Sequence, residues 1–189
     1  MGRKEEIIAA AEKVFIKYGL EKITLDDIAF ECGIKKTALY YYFKNKDEIL
    51  SAMIKMKAMA ISDHIRSKVM ECDNVRDRLR TFMRSKISIM QENMRFMKLF
   101  EREGLPKRAM EFLNKVERSM TDSDFSLVKE VISQGIKNNR ISYQMSDSLV
   151  LMILGVAYGS FIGKHYNECN WNTDAMIETT IDVIFRGIE

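Results

Sequence analysis

Residues 24–50 read TLDDIAFECGIKKTALYYYFKNKDEIL, and this stretch decides the fold. Thr24-Leu25-Asp26-Asp27 has the form of a helix start. The threonine hydroxyl can accept from the backbone N–H three residues on, and Asp27 can reach back, a T-x-x-D variant of the capping box. Ile28, Ala29 and Cys32 then give a short helix an apolar face, and Gly33 offers the left-handed conformation a tight turn needs. After Ile34, a third helix is predicted from about Lys36 to Phe43. Ala29 is small enough for the two helices to cross closely, with Ile28, Cys32, Ile34, Leu39 and Phe43 as the core beneath. The other face of the third helix carries Lys36, Thr37, Tyr40 and Tyr41. Two short helices meeting at a glycine turn, the second presenting basic and polar side chains, fit a helix-turn-helix.

Outward from that stretch the chain continues to read as helix. Ile7, Ile8, Ala11, Val14, Phe15 and Tyr18 recur at helical spacing, and Gly19 is a natural stop. Asn45-Lys46-Asp47 opens a long fourth helix with Ile49, Leu50, Met53, Met56, Ala60 and Ile61 on one side. Further helices are predicted at about 74–93, 95–103, 107–118, 122–138, 146–166 and 173–187. Gly104-Leu105-Pro106 is the clearest break; Asn138-Asn139 and Asn170-Trp171-Asn172 mark the others. With one proline and nine glycines in 189 residues, the composition points to an all-α protein of about nine helices and excludes sandwiches, barrels and disulfide scaffolds. Cys32, Cys72 and Cys169 are odd in number and lack CxxC spacing, as expected of reduced thiols in a cytosol. No signal peptide is expected, because Met1-Gly2-Arg3-Lys4 runs straight into an amphipathic helix. Leu149 to Gly163 is nearly all apolar but spans 15 residues, where a membrane helix needs about 20, so a buried helix and no membrane partner are expected.

Total charge says little: the net is +3, with a pI of about 8.7. Placement says more. Residues 1–50 hold nine basic and nine acidic residues, yet from Cys32 to Lys46 there are four lysines and no acid. Such a run is often only a solvated face. Here Lys35 and Lys36 also sit at a helix N-terminus, where the macrodipole disfavours cations by about 0.3–1 kcal/mol and a nearby phosphate would reverse the penalty. The tyrosines add hydroxyls for phosphate oxygens and rings for sugars or thymine methyl groups.

Residues 7–50 resemble the DNA-binding domain of the tetracycline-repressor (TetR) family of bacterial transcriptional regulators. The matching residues are Ile8-Ala9-Ala10-Ala11, Phe15, Gly19, Thr24, Ile28-Ala29, Gly33-Ile34, Lys36, Leu39-Tyr40-Tyr41-Tyr42-Phe43-Lys44-Asn45-Lys46 and Ile49-Leu50. The resemblance implies a helix-turn-helix domain over 1–46 and a helical ligand-binding and dimerisation domain over 47–189. It also implies a homodimer on double-stranded DNA, a palindromic operator, with its two third helices in major grooves about 34–36 Å apart. By position, Lys36, Thr37, Ala38 and Tyr40 would face bases or nearby backbone. Tyr41, Tyr42 and Lys46 would hold phosphates, with Thr24 doing likewise at another helix start. Lys35 stands where a capping serine is common in the family, so this helix start loses a cap and gains a charge. Phe30 replaces a usual polar residue and is either buried by a longer first helix or exposed near DNA.

The resemblance assigns residues from about 51 onward to ligand binding and dimerisation. Twelve of the fourteen methionines fall between Met53 and Met152. They suit a pocket for an irregular apolar molecule, or simply fill helical cores. Phe82, Met83, Met90, Met97, Phe100, Phe125 and Tyr158 are the pocket candidates. Gly155, Gly159 and Gly163 line one side of the apolar helix. They either seat a partner's helix in a four-helix bundle with the 173–187 helix of each subunit, or allow close packing within one subunit. His64 and His165 have no ligands at metal spacing, Ser160 lacks a nucleophile elbow, and no phosphate loop occurs. No metal, no cofactor and no enzymatic activity are therefore expected. The function expected is a cytoplasmic, ligand-responsive repressor, nucleoid-associated when on DNA and released by a small apolar or amphipathic effector. A constitutive DNA-binding or architectural protein without an inducer is the alternative.

Overall fold

The computed structural model describes residues 2–20, 22–93, 107–137, 146–166 and 172–186, with side chains described throughout except at 107–109, 136, 146 and 160–166. Among them are eight helices: α1 (Arg3–Tyr18), α2 (Leu25–Glu31), α3 (Lys36–Tyr42), α4 (Lys46–Met70), α5 (Val75–Glu92), α6 (Lys107–Lys137), α7 (Ser146–Tyr166) and α8 (Thr173–Arg186). The helix expected at 95–103 lies outside the described residues. The chain forms two compact units: Met1–Met59 with Asn93–Arg118, and Ala60–Glu92 with Ser119–Glu189. Both α4 and α6 contribute residues to each of them.

In the first unit, Ile7, Ile8, Ala11, Val14 and Phe15 of α1 pack with Ile28 and Ala29 of α2, Leu39 and Phe43 at α3, and Ile49, Leu50, Met53 and Ile54 of α4. Phe112, Leu113 and Val116 of α6 close this core. The glycines act as their positions require. Gly19 stops α1 at φ 82°, its N–H donating to the Phe15 carbonyl at 2.9 Å. Gly33 takes φ 66°. Around it, the Gly33 N–H reaches the Phe30 carbonyl at 3.0 Å and the Ile34 N–H the Ala29 carbonyl at 2.9 Å, a complete Schellman stop. A Cβ on Gly33 would meet nothing within 4 Å, so the requirement is conformational and not one of space.

The second unit buries Leu79, Phe82, Met83 and Ile87 of α5 against Leu127, Val128, Val131 and Ile132 of α6. Leu149, Val150, Ile153, Leu154 and Ala157 of α7 and Ile177, Ile181 and Ile184 of α8 complete the core. An ion-pair ladder joins α5 to α8. Arg76, Arg80 and Arg84 recur every four residues and meet Asp182, Glu178 and Asp174, with Arg80 forked on Glu178 at 2.7 and 2.9 Å. The Arg80 guanidinium hydrogen-bonded to Glu178 holds that carboxyl below its ordinary value.

Helices predicted at 107–118 and 122–138 are instead a single helix, Lys107–Lys137. The run Ser119 to Asp124 is polar apart from Met120 and reads as a break, but it contains neither glycine nor proline. The buried stripe passes through it by way of Asp124, which occupies a core position.

Candidate functional site

Local capping places α2 and α3. The Thr24 hydroxyl accepts from the Asp27 N–H at 3.3 Å, while the Asp27 carboxylate accepts from the Thr24 N–H at 2.8 Å and from its hydroxyl at 2.7 Å. Those bonds, the backbone one foremost, lower the Asp27 pKa. α3 begins without such a cap: Lys35 makes no side-chain bond to the helix start, which leaves its N–H groups directed outward.

The faces of α3 separate cleanly. Leu39 is fully buried, while Lys35, Lys36, Thr37, Ala38, Tyr40 and Tyr41 are exposed. Tyr41 is 85% exposed and meets the half-buried Tyr42 ring edge to face, centroids 5.2 Å apart. Lys36 leans back onto Asp26 at 2.6 Å, and this hydrogen bond raises its pKa. Lys46 is placed differently from the other candidates. Its ammonium donates to the carbonyls of Leu20 and Ile23 at 2.6 and 3.1 Å, bracing the α1–α2 connection, and a phosphate would have to draw it off them. Phe30 is exposed at 88%, so it is not buried by a longer first helix.

In the second unit Phe82 and Met83 are buried at the core, and Met90, Phe125 and Tyr158 are half-buried. Met97 and Phe100 lie outside the described residues. The sequence reading missed the polar centre of this core. Lys86 and Asp124 are the two buried charged residues among those described. They pair at 2.5 Å, and the Tyr158 hydroxyl donates to the same Asp124 oxygen at 2.6 Å. The ammonium also lies 5.0 Å from the Tyr158 ring centre. A signal existed: Lys86 interrupts the helical stripe Val75, Leu79, Phe82, Met83, Ile87, Met90, and Asp124 that of Met120, Leu127, Val128, Val131.

Gly155 and Gly159 are exposed, and a Cβ on either would meet nothing within 4 Å. Among the described residues, neither is the seat of a close helix contact. Leu151 and Met152 of α7 and Val183 of α8 are exposed as well. The surroundings of Gly163 lie outside the described residues. No described helix is long and apolar enough to cross a membrane.

Comparison with known proteins adds the following. Residues 7–53 match the model for bacterial regulatory proteins of the tetR family. The HTH-type transcriptional regulator TtgR of Pseudomonas putida is 41% identical over 51 residues, 27% of this chain and 24% of that one. The chain thus spans about a quarter of the length of the curated relative it matches there. The uncharacterized HTH-type regulator YhgD of Bacillus subtilis is 28% identical over 149 residues, covering 74% of this chain and 72% of its own. A transcriptional regulator FadR from Bacillus subtilis, solved in complex with stearoyl-CoA, shares the fold at a TM-score of 0.67 and 18% identity, covering 98% and 99% of the two chains.

Proposed function

We propose that this chain, whose residues 7–53 match the model for bacterial regulatory proteins of the tetR family, is a ligand-responsive, DNA-binding transcriptional regulator of that family. In this reading it is a repressor that binds a palindromic operator as a homodimer in the cytoplasm and is released by a small apolar or amphipathic effector. The observation that carries it is the outward face of α3. Lys35, Lys36, Thr37, Ala38, Tyr40 and Tyr41 are all exposed on one short helix whose inner residue, Leu39, is fully buried. Its uncapped start and lysines place positive potential where a phosphate would sit. Thr37 and Tyr40 are the side chains assigned to base edges, Lys35 and Tyr41 to the backbone.

The dimer is assigned to α7 and α8. Glycine in an exposed mid-helix position is less stable than alanine by about 0.5–1 kcal/mol, so open glycines at 155 and 159 make sense where another helix must come close. The exposed Leu151, Met152 and Val183 extend that seat into an apolar patch. For the effector, the apolar core of the second unit with its half-open aromatic side chains is the assigned site, and a fold relative solved with an amphiphile supports that choice. An effector acts by binding the non-DNA geometry more tightly, shifting a two-state equilibrium, with α4 as the element whose tilt would change the spacing of the reading helices.

The test is duplex binding followed by fluorescence anisotropy across salt concentrations, together with sedimentation equilibrium. Affinity should fall linearly on a log–log salt plot, and Lys35→Ala, which removes one phosphate contact from each subunit of the dimer, should reduce the slope by about 1.8. The wild type should sediment as a dimer and Gly159→Leu as a monomer. Salt-independent binding, or α3 variants that bind as the wild type does, would refute the DNA reading. A wild-type monomer would refute the dimer.

A further inference from the structure

We propose that the polar centre of the second unit is a binding site for an organic cation, which Lys86 fills in the free protein, so that the effector is an amphiphile with a positively charged head. The inference rests on the amphipathic-effector reading and narrows it. Asp124 and the Tyr158 ring form what an ammonium seeks: a carboxylate at 2.5 Å and an aromatic face 5.0 Å from its centre. The Tyr158 hydroxyl, donating to that carboxylate at 2.6 Å, holds it in place. The ammonium now there is tethered, at the end of a flexible four-carbon stem.

Charge balance and stem length decide the sign of the ligand. The pair is neutral, and both members are buried, each 3% exposed. If a cation enters, Lys86 can swing out along its stem and return its ammonium to water, leaving the interior neutral as before. If an anion enters on Lys86, Asp124 would have to leave. Its stem is a single methylene and its carboxylate is held by Tyr158, so a net negative charge would stay buried, which is strongly unfavourable. An exchange of cation for cation is the substitution this site can make. Half-buried Ile89 and Phe125, packed against the same core, offer apolar surface for the tail.

The experiment compares three probes of equal chain length on the full chain by calorimetry, below their micelle-forming concentrations: decyltrimethylammonium, decanoate and decanol. Decyltrimethylammonium should bind at least about tenfold more tightly than either of the others. Lys86→Met, which removes the tethered competitor, should bind the cation more tightly still. Its melting temperature should be lowered without ligand and raised by the cation more than the wild type's is. Asp124→Asn should erase the preference. The wild-type comparison stands even if a variant fails to fold. Equal binding of all three probes, or a preference for decanoate, would overturn the cation site and leave an amphipathic effector in place. Binding of none would overturn both.

Discussion

Two lysine–aspartate pairs of nearly the same length lie in the two halves of this chain. Lys36 and Asp26 are 2.6 Å apart with side chains 45% and 61% exposed, and Lys86 and Asp124 are 2.5 Å apart with side chains 4% and 3% exposed. Water makes them different objects. At the surface of the helix-turn-helix, solvent and salt screen the attraction, so the pair adds little to stability and Lys36 stays available to a stronger anion. In the core of the second unit both side chains are out of contact with water while they are paired. The attraction there is set against a desolvation penalty of several kcal/mol per ion, and each charge depends on the other's presence. Distance alone does not say what a salt bridge does.

The sharpest way to break this contrast is to remove one partner from each pair. Asp124→Ala removes the counter-charge, so the Lys86 ammonium must either stay buried unpaired or give up its packing to reach water, and the unfolding free energy is expected to fall by up to about 3–5 kcal/mol, read by urea denaturation. Replacing both, as Lys86→Met with Asp124→Leu, should recover most of that loss. A small effect of the single variant would mean that Lys86 reaches water at little cost once Asp124 is gone. Gly33→Ala, in the same assay, is expected to lose about 1–2 kcal/mol, because alanine must hold the left-handed φ of 66°. No loss would mean that the α2–α3 turn relaxes to another conformation.

The ion-pair ladder between α5 and α8 gives a smaller, pH-dependent effect. The folded pKa of Glu178 is lowered by the hydrogen bond from Arg80 from an ordinary value of 4.5. Its contribution is therefore present above the ordinary carboxylate range and is lost as pH falls through the lower, folded value. Between about pH 5 and pH 3 the wild type should lose more stability than Glu178→Gln, measured by thermal melts. Parallel curves would show that the ladder is too solvated to matter. Asp26→Asn should have the smallest effect on stability, within error of zero. Its consequence belongs to DNA: Lys36, no longer shared, should tighten duplex binding and steepen the salt slope. An unchanged slope would place Lys36 away from phosphate.

What the bare sequence reveals follows the same division. The α2–α3 region is specified by neighbours in the chain: Thr24 and Asp27 are three residues apart, and Gly33 ends α2 in a stop built from Ala29, Phe30 and Ile34. Local rules are enough to find it. Lys86 and Asp124 lie on different helices, and each looks on its own like an ordinary solvated charge that happens to fall in an apolar stripe. Because Asp124 holds a core position, the polar run around it reads as a helix break, and one residue hides both the continuity of α6 and the buried pair. The arginines at 76, 80 and 84 and the acids at 174, 178 and 182 share a period of four, but they become partners only once α8 is laid on α5. Lys46, assigned by position to phosphate, has its ammonium on two carbonyls that no local pattern announces.

In the proposed function α3 reads DNA twice, once from each subunit of a symmetric dimer. The most direct measurement is selection of duplexes from a random-sequence pool by the full chain at near-physiological salt, followed by sequencing of the retained pool. An enriched inverted repeat is expected, with half-site centres about one helical turn, or a multiple of it, apart, and with altered half-sites for Thr37→Ala. A pool that stays random, or an enriched site without two-fold symmetry, would contradict it.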